Sequence, residues 1–318
     1  MTLATRIAFG QELIDIARTN KNFIVCSTDT KNCGIDNFGQ LFPNREYCFG
    51  IAEQNLVGSA SGFAACGHKV IVTAFATFIS MRSCEQVRSY ICYPNLNVTI
   101  VGTHAGLQDG GDGATHQAIE DVAIMRSFPN MTIIQPSDEV SARAAARSAI
   151  DFAGPLYVRL HRDSVRNIHE ADDYCFRIGH ADILRDYGND LAIIGTGILM
   201  EKVLDAADML KEVGIKCRVI EVHTIKPLDV VTIVRAARET GAIVTVEDHN
   251  IIGGLGSAVA EVISENLPTI LRRIGVKDTF GESGDPESLF TKFGMSTNHI
   301  VEAAKEVVLL KRPEAWEG

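Results

Sequence analysis

The chemistry in this chain starts at Glu53, which follows Phe49-Gly50-Ile51-Ala52 and opens a stretch of small, uncharged residues from Leu56 to Ala65. Glu46 to Phe49 reads as a short strand, Gly50 as a turn, and Glu53 as a carboxylate in the first turn of a helix. The helix dipole favours a carboxylate there. Burial opposes it, raising its pKa and letting it carry a proton near neutral pH, as an acid–base group must. The helix behind it has no charge and many small residues, so both of its faces are expected to pack, against backbone or against a partner. His104 and His116 flank a glycine-rich stretch, Gly102 to Gly113, that contains Asp112. A lone histidine is usually a satisfied loop residue, but two around one loop with an aspartate between them suit a polar substrate channel. Phe75 and Phe78 read equally well as core residues, and Arg162 as a cation solvating a sheet edge.

The elements that must position these groups alternate strand and helix. A helix is expected over 3–19, then a buried strand Asn22–Ser27 and a polar loop 28–34. After the Glu53 helix come a strand Lys69–Ala74, a helix from about Met81 to Tyr93 and a strand Asn97–Val101. Thr115 is placed to cap a helix whose first turn holds His116 and Gln117. Strands Asn130–Gln135 and Pro155–Leu160 follow, with Pro136-Ser137-Asp138-Glu139 at a helix start between them. Strands that read as continuous apolar runs imply an α/β fold with a parallel sheet covered on both faces. Asp29, Glu53, Phe75, Phe78, His104, Asp112 and Arg162 then all fall just past the carboxyl ends of strands, where open α/β sheets bind ligands.

The alternation repeats on a smaller scale after a polar, charged stretch, with strands at Leu191–Ile194, Cys217–Val222, Ala242–Val246 and Ile270–Ile274. The expected domains are therefore 1–165 and 191–318, joined by a linker over 166–190. A length of 318 residues and a hydrophobic content of 46% suffice for two cores. The net charge of -10 argues against nucleic acid or an acidic membrane as partner. No stretch has the length and apolarity of a membrane span and the N-terminus has no signal-peptide core, so a cytoplasmic protein is expected. The eight cysteines form no Cys-x-x-Cys pair and are expected as buried free thiols.

Three glycine motifs carry less. Gly111-Asp112-Gly113 lacks the asparagine some 25–30 residues on that would make it a diphosphate site, Asn130 coming too early. Gly195-Thr196-Gly197 lacks the third glycine of a dinucleotide fingerprint, and a tight turn explains Gly253-Gly254-Leu255-Gly256 as well as an anion site does.

Taken together, Gly50 to Glu53, Phe75 to Phe78, Gly102 to His104, Asp112 to Gln117 with Glu120, and Pro136 to Asp138 resemble the C-terminal half of transketolase, in order and spacing across roughly residues 20–165. The later segment looks like that family's C-terminal domain. The beta subunits of 2-oxoacid dehydrogenases would have a His-Ser-Gln-type segment in place of Thr115-His116-Gln117. The resemblance implies thiamine diphosphate bound between two subunits, with this chain supplying the pyrimidine side through Asp29, Ile51, Glu53, Phe75 and Phe78. Glu53 would hydrogen-bond the aminopyrimidine ring and drive the tautomer that deprotonates the thiazolium carbon. His104 and Arg162 correspond to positions that bind the sugar phosphate, His116 to a contact with the donor's carbonyl or first hydroxyl, and Asp112 to one with the next hydroxyl. A place at a helix N-terminus would keep His116 neutral. The family's tyrosine three residues beyond the second phenylalanine is Met81 here, and the phosphate-binding serine near Cys33 is absent.

The diphosphate-binding half, which holds most of the site for the divalent cation (magnesium or calcium), is missing from this sequence. The resemblance therefore implies one subunit of a split transketolase, two copies of each subunit forming the twofold assembly. Its reaction would be two-carbon ketol transfer between a ketose and an aldose, both phosphorylated. A thiamine enzyme subunit acting on 2-oxo acids or an unusual sugar, and a non-catalytic binding subunit, are the alternatives.

Overall fold

The computed structural model describes residues 2–30, 33–171 and 174–311. Its first half contains α1 (Thr5–Thr19), β1 (Phe23–Ser27), α2 (Phe38–Leu41), β2 (Glu46–Cys48), α3 (Glu53–Ala65), β3 (Lys69–Phe75), α4 (Ala76–Met81), α5 (Cys84–Gln86), β4 (Val98–Thr103), α6 (Asp121–Arg126), β5 (Thr132–Ile134), α7 (Glu139–Asp151) and β6 (Leu156–Arg159). The second half contains β7 (Asp182–Asp186), β8 (Leu191–Gly195), α8 (Met200–Glu212), β9 (Cys217–Glu221), β10 (Thr224–Lys226), α9 (Val230–Thr240), β11 (Ala242–Asn250), α10 (Leu255–Asn266), β12 (Ile270–Val276), α11 (Pro286–Lys292) and α12 (Thr297–Leu310).

β1, β4, β5 and β6 are buried along their whole length, and β3 up to Phe75. Side chains buried on both faces of a strand need cover on both sides, which parallel sheets obtain from their crossover helices. The first sheet runs β10-β5-β6-β4-β3-β1-β2, its six strands from the first half parallel to one another. On one face Phe9 and Leu13 of α1 and Ala142 and Ala145 of α7 pack against Phe23 and Val158. On the other, Leu56, Val57 and Ala60 of α3 pack against Val72 and Ile100. Asp138 caps α7 by accepting from the Ser141 amide at 2.8 Å, so the expected helix start is real. The second sheet runs β12-β11-β8-β9-β7. No helix among the described residues is long and apolar enough to cross a membrane.

Several elements differ from those expected. The single helix over 81–93 is instead α4, α5 and a π-helical turn over Val87–Cys92. Ser80 Oγ and Ser83 Oγ donate back to the carbonyls of Ala76 and Ile79 at 2.6 and 2.7 Å, and such back-bonding bends a helix. The helix expected at Thr115 begins only at Asp121, because Ala118 forms a bridge with Ala105 and Ile119 accepts from the Asn250 amide. His116 therefore lies in a turn, not at a helix N-terminus. β7 falls inside the segment expected as a linker and pairs antiparallel with β9; half exposed at a sheet edge, it has no apolar run to betray it. β10 crosses back to extend the first sheet, antiparallel to β5. Cys26, Cys33, Cys92 and Cys217 are buried as free thiols, whereas Cys48, Cys66 and Cys175 are exposed, against expectation. Lys31 and Asn32 of the 28–34 loop, and Asp172 and Asp173 of the expected linker, lie outside the described residues.

Candidate active site

Glu53 is the first residue of α3 and is 3% exposed. Gly50, at φ 67°, turns the chain between β2 and that helix. One carboxylate oxygen of Glu53 accepts from Arg82 Nη1 at 2.7 Å. The Arg82 guanidinium also lies over the Phe78 ring, 4.5 Å from its centroid. Nothing in the sequence spacing of Arg82 to Glu53 announced the pair. Arg82 stands just beyond α4, and the turn of that helix carries it to the carboxylate.

Phe75 and Phe78 bracket the first turn of α4 and stack with centroids 5.9 Å apart and planes 18° from parallel. They are half-buried, unlike core residues. His104 lies against Phe75 with ring centroids 4.2 Å apart, and His116 stands edge-on to Phe78 at 5.1 Å. Two aromatics and two imidazoles, drawn from the end of β3, the first turn of α4, the end of β4 and the loop after it, thus form one surface beside Glu53.

His104 has φ 56°, uncommon for a residue with a side chain and a form of strain that concentrates at functional sites. Its Nδ1 contacts Thr103 Oγ1 at 3.0 Å, which leaves Nε2 for a ligand. Burial, with the nearby cations Arg6 and Arg162 and with His116, pushes the His104 pKa down to about 3. His104 is therefore a neutral ring under ordinary conditions.

Arg162, beyond β6, is 39% exposed and pairs through Nη1 with the fully buried Asp109 at 2.5 Å. The Arg6 side chain of α1 donates to the Arg162 carbonyl at 3.1 Å. Burial raises the Asp109 pKa and Arg162 opposes it. Asp109, Gln108 and Arg6 were not singled out from the sequence; a glycine-rich loop suggests flexibility, and nothing in it distinguishes a buried aspartate from an exposed one. Asp112, on the same loop, is exposed yet close enough to Asp109 to raise its pKa further. Asp29 stands exposed past β1, and Ile51 is 76% exposed ahead of α3.

The loop carrying these groups is held from behind by the second half of the chain. Leu107 N donates to Asp248 Oδ1 at 3.1 Å, Gln117 Nε2 to the Glu282 carbonyl at 2.9 Å, and Gly284 N to the Gly110 carbonyl at 3.0 Å. Beneath it Arg159 and Asp121, both 0% exposed, pair at 2.9 Å. Arg159 also donates to the carbonyls of Ala118 and Asp248 at 2.8 and 2.9 Å, and Tyr157 Oη to Asp121 at 2.7 Å. Such an enclosed, hydrogen-bonded pair fixes the loop's path.

Residues 1–167 match the family model described as the transketolase pyrimidine binding domain, and residues 179–300 the transketolase C-terminal domain. A putative transketolase C-terminal section from Methanocaldococcus jannaschii is 41% identical over 304 residues, 95% of each chain. The 6-deoxy-6-sulfo-D-fructose transketolase subunit SqwH of a Clostridium species is 41% identical over 93% of this chain and 91% of its own. Among solved structures, a split gene transketolase described as an inactive beta4 tetramer superposes with a TM-score of 0.90 at 42% identity, covering 98% of this chain and all of that one. With its buried Glu53, its aromatic shelf and both domain matches in the same order, this chain belongs to the transketolase family, as a transketolase-type subunit built from the pyrimidine-binding and C-terminal domains.

Proposed function

We propose that this chain is the pyrimidine-side subunit of a cytoplasmic split transketolase that moves a two-carbon ketol unit from a ketose phosphate to an aldose phosphate, active only with a diphosphate-binding partner subunit. The observation that carries this reading is the buried Glu53 carboxylate beside the Phe75–Phe78 shelf, with His104 and His116 on the same edge.

Family membership brings dependence on thiamine diphosphate, and the residues present fit that cofactor's pyrimidine end. Glu53 has one oxygen taken by Arg82, and the half-buried rings of Phe75 and Phe78 offer a flat apolar surface. When bound, the cofactor supplies the carbanion that attacks the ketose carbonyl and keeps the two-carbon fragment until the acceptor arrives. Glu53 holds and returns a proton at the pyrimidine nitrogen from a rigid helix start. Phe75, Phe78, Ile51 and Asp29 line the cofactor's place. Arg82, which holds Glu53 and covers the Phe78 ring, would have to release both for the cofactor to bind there. His104, neutral, and Arg162, cationic, orient the anionic end of the sugar; His116 and Asp112 read its first hydroxyls. The diphosphate and its magnesium or calcium ion are held mainly by the partner.

The test mixes purified chain with a candidate diphosphate-binding subunit, thiamine diphosphate, magnesium and a ketose phosphate donor. Ketol transfer only in the mixture is the expected result. Transfer by this chain alone, or full turnover by Glu53→Gln in the mixture, would sink the proposal.

A further inference from the structure

Away from Glu53 in the sequence, the junction between the two halves gathers a second set of titratable groups. His169 reaches it from the connecting segment, Asp182 from the first residue of β7, Glu221 from the last of β9 and His223 from the turn before β10. His169 Nε2 and Glu221 Oε2 are 2.8 Å apart, and one donor atom from each of His169, Asp182 and Glu221 lies within 4.8 Å of the others. His223 Nε2 is 3.6 Å from Asp182 Oδ2. The side chains of Glu221 and His223 are 0% exposed and that of His169 is 5%. His169 Nε2 and Glu221 Oε2 meet only each other, out of hydrogen-bond alignment, and His223 Nε2 has no hydrogen-bond partner. Buried polar atoms so incompletely satisfied are costly for a chain to keep.

The geometry points to a zinc-type divalent cation site formed by His169 Nε2, Glu221 Oε2 and Asp182, with His223 Nε2 at its border beside Asp182. Ligand bonds of about 2.0–2.1 Å in a tetrahedral site put donor atoms roughly 3.3 Å apart, a spacing that small side-chain adjustments reach from a cluster whose three donor atoms lie within 4.8 Å of one another. The supporting contacts are those a metal site requires. His169 Nδ1 faces Asp138 Oδ2 at 3.1 Å, so a carboxylate fixes the ring with its other nitrogen turned to the cluster. Ser137 Oγ donates to Glu221 Oε1, leaving Oε2 as the free oxygen. Asp182 is 36% exposed and lines a cleft of about 470 Å³ with His169, Tyr174 and His180, which gives an ion a path in. An imidazole among the donors favours zinc over magnesium or calcium, which take all-oxygen sets. Because Asp138 caps α7 of the first sheet's cover and Glu221 and Asp182 belong to the second sheet, the ion would staple the two halves together.

The test titrates Zn2+ calorimetrically into the full chain, stripped beforehand with chelator and kept in excess Mg2+, and follows thermal unfolding with and without Zn2+. Expected are one ion per chain and a raised Tm. Asp182→Asn and Glu221→Gln should each weaken binding at least about 10-fold. Glu221→Gln alters a buried site and can impair folding; Asp182→Asn, on an edge strand, keeps the test decisive. Cys175→Ala, in the same cleft, should bind as wild type. Absence of saturable binding at one per chain, binding unchanged by Asp182→Asn, or binding abolished by Cys175→Ala would each overturn the assignment.

Discussion

At the scale of single residues, the site pairs groups that the isolated chain already satisfies with groups it leaves ready. Glu53 in the assembled enzyme should be indispensable: Glu53→Gln keeps the size and hydrogen-bonding shape but cannot cycle a proton, and turnover should fall by about 10²–10⁴-fold, the range for a positioned acid–base group. Steady-state kinetics at saturating cofactor would check it. Arg82 should act in the opposite direction. Its guanidinium is 45% exposed, so its hold on Glu53 is worth at most about 1 kcal/mol. Arg82→Ala should therefore tighten thiamine diphosphate binding by no more than about 5-fold, read as a lower apparent Kd by fluorescence quenching; weaker binding would show that Arg82 supports the cofactor instead. His104 carries a pH prediction. Its pKa of about 3 in the folded chain lies below its value of about 6.5 when unfolded, so the unfolded state takes up the proton first. Stability held above pH 6.5 is then lost as pH falls toward 3. The His104 ring resonances should stay fixed between pH 5 and 8 in an NMR titration, and a midpoint near 6.5 would contradict the burial argument.

At the scale of elements, the loop between β4 and α6 depends on contacts that sequence periodicity cannot express. Gly106 has φ 75°, and a Cβ there would lie 1.8 Å from Asp248 Oδ2. Gly106→Ala should cost about 1–2 kcal/mol from the backbone alone, and should further detach Leu107 from Asp248, lowering both Tm and activity. Below the loop, removing Asp121 would strand the Arg159 guanidinium in a fully buried place. Asp121→Ala should destabilise the chain by about 3–5 kcal/mol, measurable by denaturant unfolding. These contacts explain what could be read in advance. Apolar runs such as Phe23-Ile24-Val25-Cys26 and Val70-Ile71-Val72 announce buried parallel strands, and Asp138 announces the start of α7, because both signals are local. The Thr115 cap failed because Ala118 and Ile119 bond to Ala105 and Asn250, partners far away in sequence. The pairing of Glu53 with Arg82, and the junction cluster around His169, were illegible for the same reason. The aromatic shelf was legible only through a family resemblance, since Phe75 and Phe78 alone read as core.

At the scale of the whole molecule, one face is finished and another is not. The second half of the chain covers the back of the loop between β4 and α6, but α3 turns a face of Gln54, Gly58, Gly62 and Ala65 outward, only half covered or open. Ile51, just ahead of it, is 76% exposed, and Met81, Tyr90 and Tyr93, in or next to the segments packed beside it, are exposed as well. An uncharged helix face of small residues allows another backbone to approach closely, and aromatic residues around it are typical interface anchors. This is the surface by which the chain would assemble with a second copy and with its partner subunit, and it borders Glu53 and the aromatic shelf, where a completed cofactor site has to close. A Cβ added at Gly58 or Gly62 meets nothing within 4 Å, so the chain's own fold does not explain why glycine stands there. Gly62→Arg should leave the far-UV spectrum unchanged, since arginine is the better helix former by close to 1 kcal/mol. It should nevertheless break the assembly, because a long charged side chain would be driven into a close-packed contact. Light scattering on the isolated chain and on the mixture with the partner subunit would read the outcome: loss of the multimer together with loss of ketol transfer places the interface on α3, whereas a variant that assembles and turns over like wild type moves it elsewhere.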